Sequence, residues 1–450
     1  MMARNRLISA ALTTVALVAC SALGALAEDA FYREEALDGK VYVFAVVEKY
    51  ARFQASKELQ EPISKEAYGP GGEDVLFDSM AAVALYDVKH PTAGGKHEPT
   101  ITWRDGRTRL RAEHASLDLS NRVQFRFTEQ LPDPTVQLAG TAASGDDLGS
   151  FWIRRAKTQL RGWIWNPHLT MEIQIGWAAA DTGFVGSTFS GLEDAALTWD
   201  VSKNETFEVK VGQYKVPFGR QEFTYSEFLE FVDRDILSGE FTQGRDVGVS
   251  VLGYLAGRKL EYRGGMFNGN GRNKPTNDNN RYQYDGTVTY SPWGDVGYSE
   301  SDFESKDHPL LMVGVEFENN NQFYSTNANN LDTTTVGGEA IFKYRGLYLF
   351  GEYFDRKRRF QLGGSSFHSN GYHTQLGYFL VRDKLEVALR YVSWDPTSLI
   401  GGNDVSEKGV GLNYFVRKHD LKVQADFREL KDEGAGTTGH ELRVQTQFVF

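Results

Sequence analysis

Apolar and polar residues alternate along most of the chain, from about residue 120 to the last residue. The alternating runs are about 9–13 residues long, and gaps rich in turn-forming residues separate them. Since successive side chains of a strand point to opposite faces, each run predicts a strand with one apolar face and one polar face. In the last run, the apolar face carries Leu442, Val444, Thr446, Phe448 and Phe450, and the polar face carries Arg443, Gln445 and Gln447. Runs 169–177, 385–391 and 421–428 repeat the arrangement.

The two faces of these strands need different surroundings. An exterior in contact with lipid and a lumen filled with water satisfy both faces, and strands span a membrane only as a closed barrel. The pattern is therefore typical of a transmembrane β-barrel in the cell outer membrane, with outer-membrane lipid around it. The aromatic last residue, Phe450, resembles the carboxyl-terminal signal read by the outer-membrane barrel assembly machinery, which is therefore an expected partner.

The lengths of the gaps also alternate. Short turns such as Ala256-Gly257 and Arg345-Gly346 predict the periplasmic side, and long polar gaps such as 219–244 predict external loops. Counting back from Phe450 predicts an all-β fold, an antiparallel barrel of about 16 strands that is wide enough for an aqueous channel. The gap 292–308 breaks the rule, since it is long although the count places it at the periplasmic side.

The chain begins with a predicted signal peptide, residues 1–27. Arg4 and Arg6 precede an apolar run that ends in the small-residue cleavage site Ala25-Leu26-Ala27. Leu17-Val18-Ala19-Cys20 offers an alternative, a lipoprotein box in which Cys20 would be lipidated. Beyond the leader, no second apolar stretch reaches the length of about 18–20 residues that a transmembrane helix needs.

Residues 28–115 are charged and poorly periodic, and we interpret them as a partly helical periplasmic extension that precedes a barrel domain at 116–450. The propensities predict helices over Tyr42–Ala55 and Asp78–Val88. The first barrel strand is predicted at Asn121 to about Glu129, so Ile101–Arg111 would be a surplus strand and is assigned to the periplasm.

Composition and charge narrow the possible functions. The mean hydropathy of −0.43 suits a barrel whose two faces average out, and 29 phenylalanines and 21 tyrosines suit aromatic girdles. Loss of the leader, which has two arginines and no acidic residue, changes the formal net charge from −11 to −13, which argues against nucleic acid as a partner. If the leader is cleaved after Ala27, the mature chain contains no cysteine and hence no disulfide.

No catalytic pattern stands out in the sequence. The nine histidines form no Ser/His/Asp arrangement that their spacing supports, and neither a metal-ligand cluster nor a phosphate-binding glycine loop is evident. We therefore predict that the chain is not an enzyme and has no cofactor or metal. Energy-coupled receptors with a plug domain need about 22 strands, for which the chain is too short.

The run 151–165 carries basic residues on one face. Side chains two residues apart stand about 6.6 Å apart, so Arg155, Lys157 and Arg161 could pass an anion between successive weak sites. The alternative is that these charges only keep the lumen wet. Predicted acidic residues of the lumen, such as Glu172 and Glu339, leave the selectivity open. The predicted anion pathway consists of Arg155, Lys157, Arg161, Lys210, Lys215, Arg263 and Arg390.

The gap from Gly219 to Gly244 is the longest of the barrel region and is both apolar and charged. Its eight large apolar residues would not be needed at a solvated loop tip. They suit a loop folded into the lumen as a constriction, and they also suit contacts with a neighbouring subunit. The predicted constriction residues are Arg220, Glu227, Glu230, Arg234 and Arg245.

Four stretches resemble the phosphate-selective porin O and P family: Phe151–Lys157, Leu160–Gly162, Val211–Gly219 and Arg245–Val249. The resemblance extends from about residue 101 to the end and implies a 16-stranded homotrimeric porin whose lumen arginines and lysines conduct phosphate or polyphosphate. By position, Arg155, Lys157, Arg161 and Lys215 match basic residues of the family's motifs. The acidic balance and the amino-terminal extension depart from the family pattern, so phosphate specificity stays open.

The sequence therefore predicts a passive diffusion channel for small hydrophilic solutes, with anions such as phosphate as the favoured class. The alternative is a non-selective or structural barrel in which the amino-terminal segment plugs or caps the lumen.

Overall fold

The computed structural model describes residues 31–450 except 61, 66–67, 70–72, 91–99, 105–106, 113, 132–147, 179–190, 275, 304–306, 324–329 and 362–365. The predicted signal peptide and Cys20 lie outside these residues. The chain divides into two compact units. One contains the residues up to Pro99 together with Asn166–His168, and the other contains Thr100–Trp165 and Leu169–Phe450.

The amino-terminal unit is a small sheet with two helices. Its strands are β1 (Arg33–Leu37), β2 (Lys40–Phe44), β3 (Ile63–Lys65) and β4 (Asp74–Phe77), and its helices are α1 (Val47–Ser56) and α2 (Met80–Lys89). The strand order is β1-β2-β4-β3, with β2 parallel to β4 and the other neighbours antiparallel. Val43, Val75, Phe77 and Tyr86 form the centre of its apolar core.

The two predicted helices of this unit exist, with shifted bounds. The helix predicted over Tyr42–Ala55 is wrong at its start, because Tyr42 and Val43 pair with both β1 and β4 as part of a strand. The carboxylate of Asp78 accepts hydrogen bonds from the backbone N–H groups of Ala45 and Val46 at 3.1 and 2.9 Å, just before α1 begins. The second helix begins later than predicted, because Ser79 caps it by accepting a hydrogen bond from the N–H of Ala82 at 3.2 Å.

The second unit is a closed antiparallel barrel of 16 strands among the described residues, which confirms the predicted fold. Two short strands, β5 (Thr100–Arg104) and β6 (Arg107–Ala112), precede it. The barrel strands are β7 (Ala115–Leu131), β8 (Leu148–Ile164), β9 (Leu169–Gly176), β10 (Leu192–Asp200), β11 (Glu208–Lys215), β12 (Arg245–Leu255), β13 (Leu260–Phe267), β14 (Gln283–Tyr290), β15 (Leu310–Phe323), β16 (Asn330–Tyr344), β17 (Leu347–Phe360), β18 (Ser366–Val381), β19 (Leu385–Asp395), β20 (Val405–Arg417), β21 (Leu421–Asp432) and β22 (Thr437–Val449). Two short helices, α3 (Arg220–Phe223) and α4 (Ile236–Phe241), lie between β11 and β12.

Pairing of β22 with β7, from His440 opposite Leu131 to Val449 opposite Arg122, closes the barrel. The segment Ile101–Arg111, predicted as one surplus strand, forms the two strands β5 and β6 instead. They make a hairpin whose second strand pairs with the first residues of β7. The first barrel strand is therefore longer than predicted.

The alternation of the last strand separates buried from exposed side chains. Arg443, Gln445 and Gln447 are at most 2% exposed, whereas Leu442, Val444 and Phe448 are 38–40% exposed. The same separation holds along β19 and β21, so the predicted inward polar face and outward apolar face are confirmed. Within the described part of the chain, no helix has the length and apolar character needed to cross a membrane.

Gly212 of β11 has a φ of +127°, and a Cβ added there would overlap the backbone carbonyl oxygen of Ala195 on β10. We expect Gly212→Ala to destabilise the barrel by about 1–3 kcal/mol, because the residue would be strained and the strands forced apart. The measurement is the urea midpoint of the detergent-folded protein. Gly439→Ala on β22, where an added Cβ meets nothing within 4 Å, is the matched control and should leave the midpoint unchanged. Equal midpoints for both variants would contradict the prediction.

Candidate functional site

The segment 219–244, called the internal loop below, lies inside the barrel. The Lys422 ammonium group donates to the carbonyl oxygen of Leu229 at 2.7 Å, and the N–H of Val232 donates to the Asp426 carboxylate at 3.0 Å. Farther along the loop, the N–H of Ile236 donates to Glu407 at 3.2 Å. Because these barrel side chains belong to the inward faces of their strands, the internal loop lies within the lumen.

The apolar residues of the internal loop form a small core within the lumen. Five of them are at most 1% exposed: Leu229, Phe231, Val232, Leu237 and Phe241. The ring of Phe241 stacks on Phe354 of β17 with centroids 5.4 Å apart, and Leu237 belongs to the same apolar cluster. These contacts account for apolar residues that a solvated loop tip would not need.

Asp233 fastens the internal loop to β7 and β8. Its carboxylate accepts from Arg126 at 2.5 Å and from Arg155 at 2.7 Å, and Arg154 approaches it at 3.3 Å. Arg390 of β19 donates to its backbone oxygen at 3.0 Å. Burial alone would raise the pKa of Asp233, but the guanidinium charges, Arg126 first, hold that pKa well below its usual value. The carboxylate therefore stays ionised and anchors the loop.

A β-bulge explains how two consecutive arginines reach Asp233. Gln124 of β7 pairs with Arg155, whereas the next residue, Phe125, pairs with Ile153, so the register skips Arg154. Strict alternation places Arg155 in the lumen and assigns Arg154 to the lipid face, so Arg154 is absent from the predicted site residues. The signal that could have found it is the high cost of a charged side chain facing lipid.

Five of the predicted pathway cations are buried. Lys157 binds Glu193 at 2.6 Å, and Lys215 donates to the carbonyl oxygens of Phe223 and Thr224 at 3.3 and 2.8 Å. Arg263 lies over the ring of Phe223 at 4.3 Å. Arg155 and Arg390, as described above, hold Asp233. Contacts of Arg155, Lys215, Arg263 and Arg390 with the internal loop thus position that loop.

A second group of cations keeps more solvent exposure, and we call it the basic face. The side chains of Arg161, Arg272 and Lys210 are 41%, 32% and 22% exposed. Their acidic partners are less accessible, since Glu172 is 14% and Glu193 only 2% exposed. The basic face consists of Arg161, Lys210, Arg234, Arg245 and Arg272.

The predicted constriction residues of the internal loop are engaged with the lumen wall or with the loop itself. Arg245 forms a bidentate ion pair with Asp194, in which both N–O distances are 2.9 Å. Arg234 binds Glu222 at 3.0 Å. The Arg220 guanidinium lies 4.1 Å from the centre of the Tyr298 ring, and Glu227 pairs with Arg122.

Residues 292–303, called the inner turn below, also lie inside the barrel. Lys343 donates to the carbonyl oxygens of Val296 and Ser299, each at 2.7 Å, and Ser301 donates to Glu386 at 2.9 Å. Phe303 packs against Phe379, Phe415 and His419, with ring centroids 5.0–5.2 Å away. This placement gives a physical reason for the unusual length of the gap 292–308, which the count assigned to the periplasmic side.

The internal loop and the inner turn meet each other within the lumen. The N–H of Glu230 donates to the Glu300 carboxylate at 2.9 Å, and the N–H of Glu300 donates to the carbonyl oxygen of Phe228 at 3.0 Å. Burial, followed by the negative charges of Glu386 and Glu300, raises the pKa of Glu230 well above its usual value. The two segments enclose an acidic group whose members are each at most 5% exposed: Glu230, Glu300, Glu316, Glu339, Glu352 and Glu386.

Within this acidic group, Glu316, Glu339 and Glu352 converge closely enough to hold a metal ion. Sequence alone indicated no metal-ligand cluster, because the three residues belong to three strands and are far apart in the chain. Only the register of β15, β16 and β17 brings them together.

Comparison with known proteins gives one family and a set of structural neighbours. The model of the family described as Phosphate-selective porin O and P matches residues 136–450. The fold is similar to an anion-selective porin from Comamonas acidovorans, at 14% identity over 75% of this chain and 100% of that chain, with a TM-score of 0.55. The outer membrane channel DcaP of Acinetobacter baumannii is similar at 12% identity over 75% of this chain and 98% of that chain, with a TM-score of 0.53. OmpT of Vibrio cholerae is similar at 9% identity over 76% and 100%, with a TM-score of 0.50. No curated protein sequence matches.

Asp233→Asn should loosen the internal loop, because three guanidinium groups lose the carboxylate that they share. Loss of one partner from a buried ion pair costs roughly 3–5 kcal/mol, and the partial exposure of Asp233 places the cost toward the lower end. We expect single-channel recordings in planar bilayers to show frequent switching between current levels. Glu240→Gln removes the same charge from an exposed position of the same loop, and its single-channel current should be as steady as that of the wild type. A steady current from Asp233→Asn would show that this ion-pair cluster does not hold the loop.

Raising the pH should loosen the contact between the internal loop and the inner turn. The folded pKa of Glu230 lies above its unfolded value, so the stabilisation is complete below about pH 4 and is lost as the pH rises through the folded pKa. We expect current noise to grow as the pH rises through the raised pKa of Glu230 and the buried carboxyl group ionises. The amide of Glu230→Gln cannot ionise and should abolish the effect, whereas Glu240→Gln should retain it. Identical pH profiles for wild type and Glu230→Gln would refute this assignment.

Proposed function

The chain belongs to the phosphate-selective porin O and P family, and from that membership we propose that this outer-membrane porin conducts small hydrophilic anions, phosphate among them, by passive diffusion. The observation that carries the proposal is a separation of charge within the lumen. Cations whose side chains are 11–41% exposed form the basic face, while the acidic group lies enclosed behind the internal loop and the inner turn. A solute in the remaining water therefore meets mostly positive charge.

This separation reconciles an acidic chain with a preference for anions. The net charge of the whole protein acts weakly on a permeating ion, because physiological salt screens exposed charges beyond about 8 Å. The nearest side chains decide the selectivity. Arg161 and Arg272 are the most exposed of the lumen cations that pair with carboxylates, and their partners Glu172 and Glu193 are the more buried members of each pair.

The paired state of these cations suits conduction. Arg161 and Lys210 share Glu172 at 2.5 and 3.5 Å, and Arg245 and Arg272 share Glu193 at 3.3 and 3.7 Å. A cation that already has a carboxylate partner attracts a passing anion without holding it. Several weak sites in succession let an ion enter and leave, as a channel requires. The family and the fold are those of a channel rather than of an enzyme.

The internal loop would be the constriction of this channel, since its backbone and its apolar core occupy part of the lumen cross-section. Its attachments to two separate strands, to Arg126 of β7 and to Arg390 of β19, support a fixed constriction rather than a mobile flap. The basic face then borders the water that the loop leaves open.

The outer surface and the two ends of the chain suit contacts with lipid, with other subunits and with the assembly machinery. Outward apolar residues such as Val444 and Phe448 suit contact with outer-membrane lipid and with two further copies in a homotrimer. Phe450, at the end of the alternating last strand, suits recognition by the barrel assembly machinery. The extension 28–115 is proposed to be periplasmic. A steady open current from the full-length protein would exclude a barrel plugged by that extension.

Removal of the two most exposed cations of the basic face should weaken the anion preference. We expect wild-type protein in a potassium chloride gradient to give an anion-selective reversal potential. The double variant Arg161→Gln/Arg272→Gln should lower the chloride-to-potassium permeability ratio roughly two- to fivefold, since each exposed contact is worth about 0.2–1 kcal/mol. A cation-selective wild type would overturn the proposal while leaving the pore intact.

The matched control for this experiment is Arg258→Gln/Arg417→Gln. These arginines are 44% and 53% exposed and lie in or beside short turns between strands, so the same charge is lost away from the basic face. Their reversal potential should equal that of the wild type. Repeating the measurement with phosphate in place of chloride tests whether the channel conducts phosphate. If the basic face accepts phosphate, the wild type should show a measurable phosphate permeability. Arg161→Gln/Arg272→Gln should reduce that permeability. No phosphate current in wild type would restrict the proposal to smaller anions.

A further inference from the structure

Three glutamates of neighbouring strands converge at one point of the lumen wall. Glu316 lies on β15, Glu339 on β16 and Glu352 on β17, and the strand register sets Glu339 directly opposite Glu352. One carboxylate oxygen of each residue lies within 4.8 Å of the other two. Each side chain is at most 5% exposed. Three acidic groups this close and this deeply buried repel one another when they are ionised, and either bound protons or a bound cation relieve that repulsion.

The backbone of the internal loop satisfies part of this cluster and leaves part of it without a partner. The N–H of Gly219 donates to Glu316 Oε2 and the N–H of Arg220 donates to Glu352 Oε1, both at 2.5 Å. Glu316 Oε1 and Glu339 Oε2 are buried and have no hydrogen-bond partner among the described residues. A buried carboxylate oxygen without a partner is costly, so these two atoms indicate a ligand.

The charges around the cluster do not balance. The positive charges of Arg220 and Arg263 attract the carboxylate of Glu339. Glu261 adds a fourth carboxylate near the cluster, with its oxygen 3.5 Å from Arg263 Nε. With all four carboxyl groups ionised, they exceed the two guanidinium groups by two negative charges. One divalent cation would cancel the excess.

We propose that Glu316, Glu339 and Glu352 bind a calcium ion. Carboxylate oxygens are the ligands that hard divalent cations prefer. Calcium binds oxygen at about 2.3–2.6 Å, so two oxygens on one ion can lie about 5 Å apart, whereas the shorter bonds of magnesium limit that separation to about 4.2 Å. The three oxygens lie within 4.8 Å of one another, a separation that one calcium ion can span without movement of the strands. The ion would also fasten the start of the internal loop, because Gly219 and Arg220 already bind two of the three carboxylates.

The test uses the full-length protein, refolded in detergent without lipopolysaccharide and stripped of metal with EDTA. Titration with calcium chloride at neutral pH in a calorimeter should show one site per chain and a weaker response to magnesium. Glu339→Gln and Glu352→Gln should each weaken calcium binding at least tenfold. Glu318→Gln is the matched control, because Glu318 lies on the same face of β15 two residues from Glu316, is equally buried, and is outside the cluster. Its calcium affinity should match that of the wild type.

Two results would overturn the proposal: no calcium binding by the wild type at millimolar concentration, or unchanged binding in both cluster variants. If those variants do not fold, amide hydrogen exchange of the wild type, measured with and without calcium, tests the site instead. Calcium should slow exchange of the Gly219 and Arg220 amides relative to the EDTA-treated protein, and equal rates would refute the site. None of these readouts depends on anion selectivity, so this proposal and the proposed function can fail separately.

Discussion

The structure depends on one constraint, that each peptide group within a membrane must find its hydrogen-bond partner in the protein itself. Pairing of β22 with β7 meets that constraint, because it leaves no open strand edge in the ring of 16 strands. Closure then determines the polarity of the side chains, because every inward position is separated from lipid and every outward position is separated from water. The polar lumen of Arg443, Gln445 and Gln447 and the apolar exterior of Val444 and Phe448 follow from it.

A closed ring of this size is too wide for side chains alone to fill. The internal loop and the inner turn provide the missing interior, and they bring both an apolar core and their own counter-ions. Phe241 stacks on Phe354 of the wall, and Asp233 neutralises part of a cluster of three arginines. The contact between Glu230 and Glu300 joins the two segments, so together they set which charges of the lumen reach water.

Local geometry made the strands and their faces predictable, because a period of two residues is a property of each strand by itself. The positions of Arg443 and Arg155 follow from that period. What depends on pairing between strands was not accessible: the bulge that turns Arg154 inward, and the register that joins Glu316, Glu339 and Glu352. The inward course of the inner turn depends on Lys343 and Glu386, which are distant from it in sequence. The unusual length of the gap 292–308 was the one sign of this course in the sequence. The bounds of the signal peptide and of the periplasmic extension stay predictions.

The internal loop comes from the middle of the chain, yet it touches both sides of the seam where the barrel closes. On the β7 side, Arg126 binds Asp233 and Arg122 binds Glu227; on the other side, Asp426 of β21 accepts from Val232 and Gln447 of β22 donates to Glu227 at 3.2 Å. The full set of these bonds exists only when the first and last strands are already side by side. Complete docking of the loop thus requires the closed ring, and the docked loop acts as an internal brace that opposes reopening of the ring.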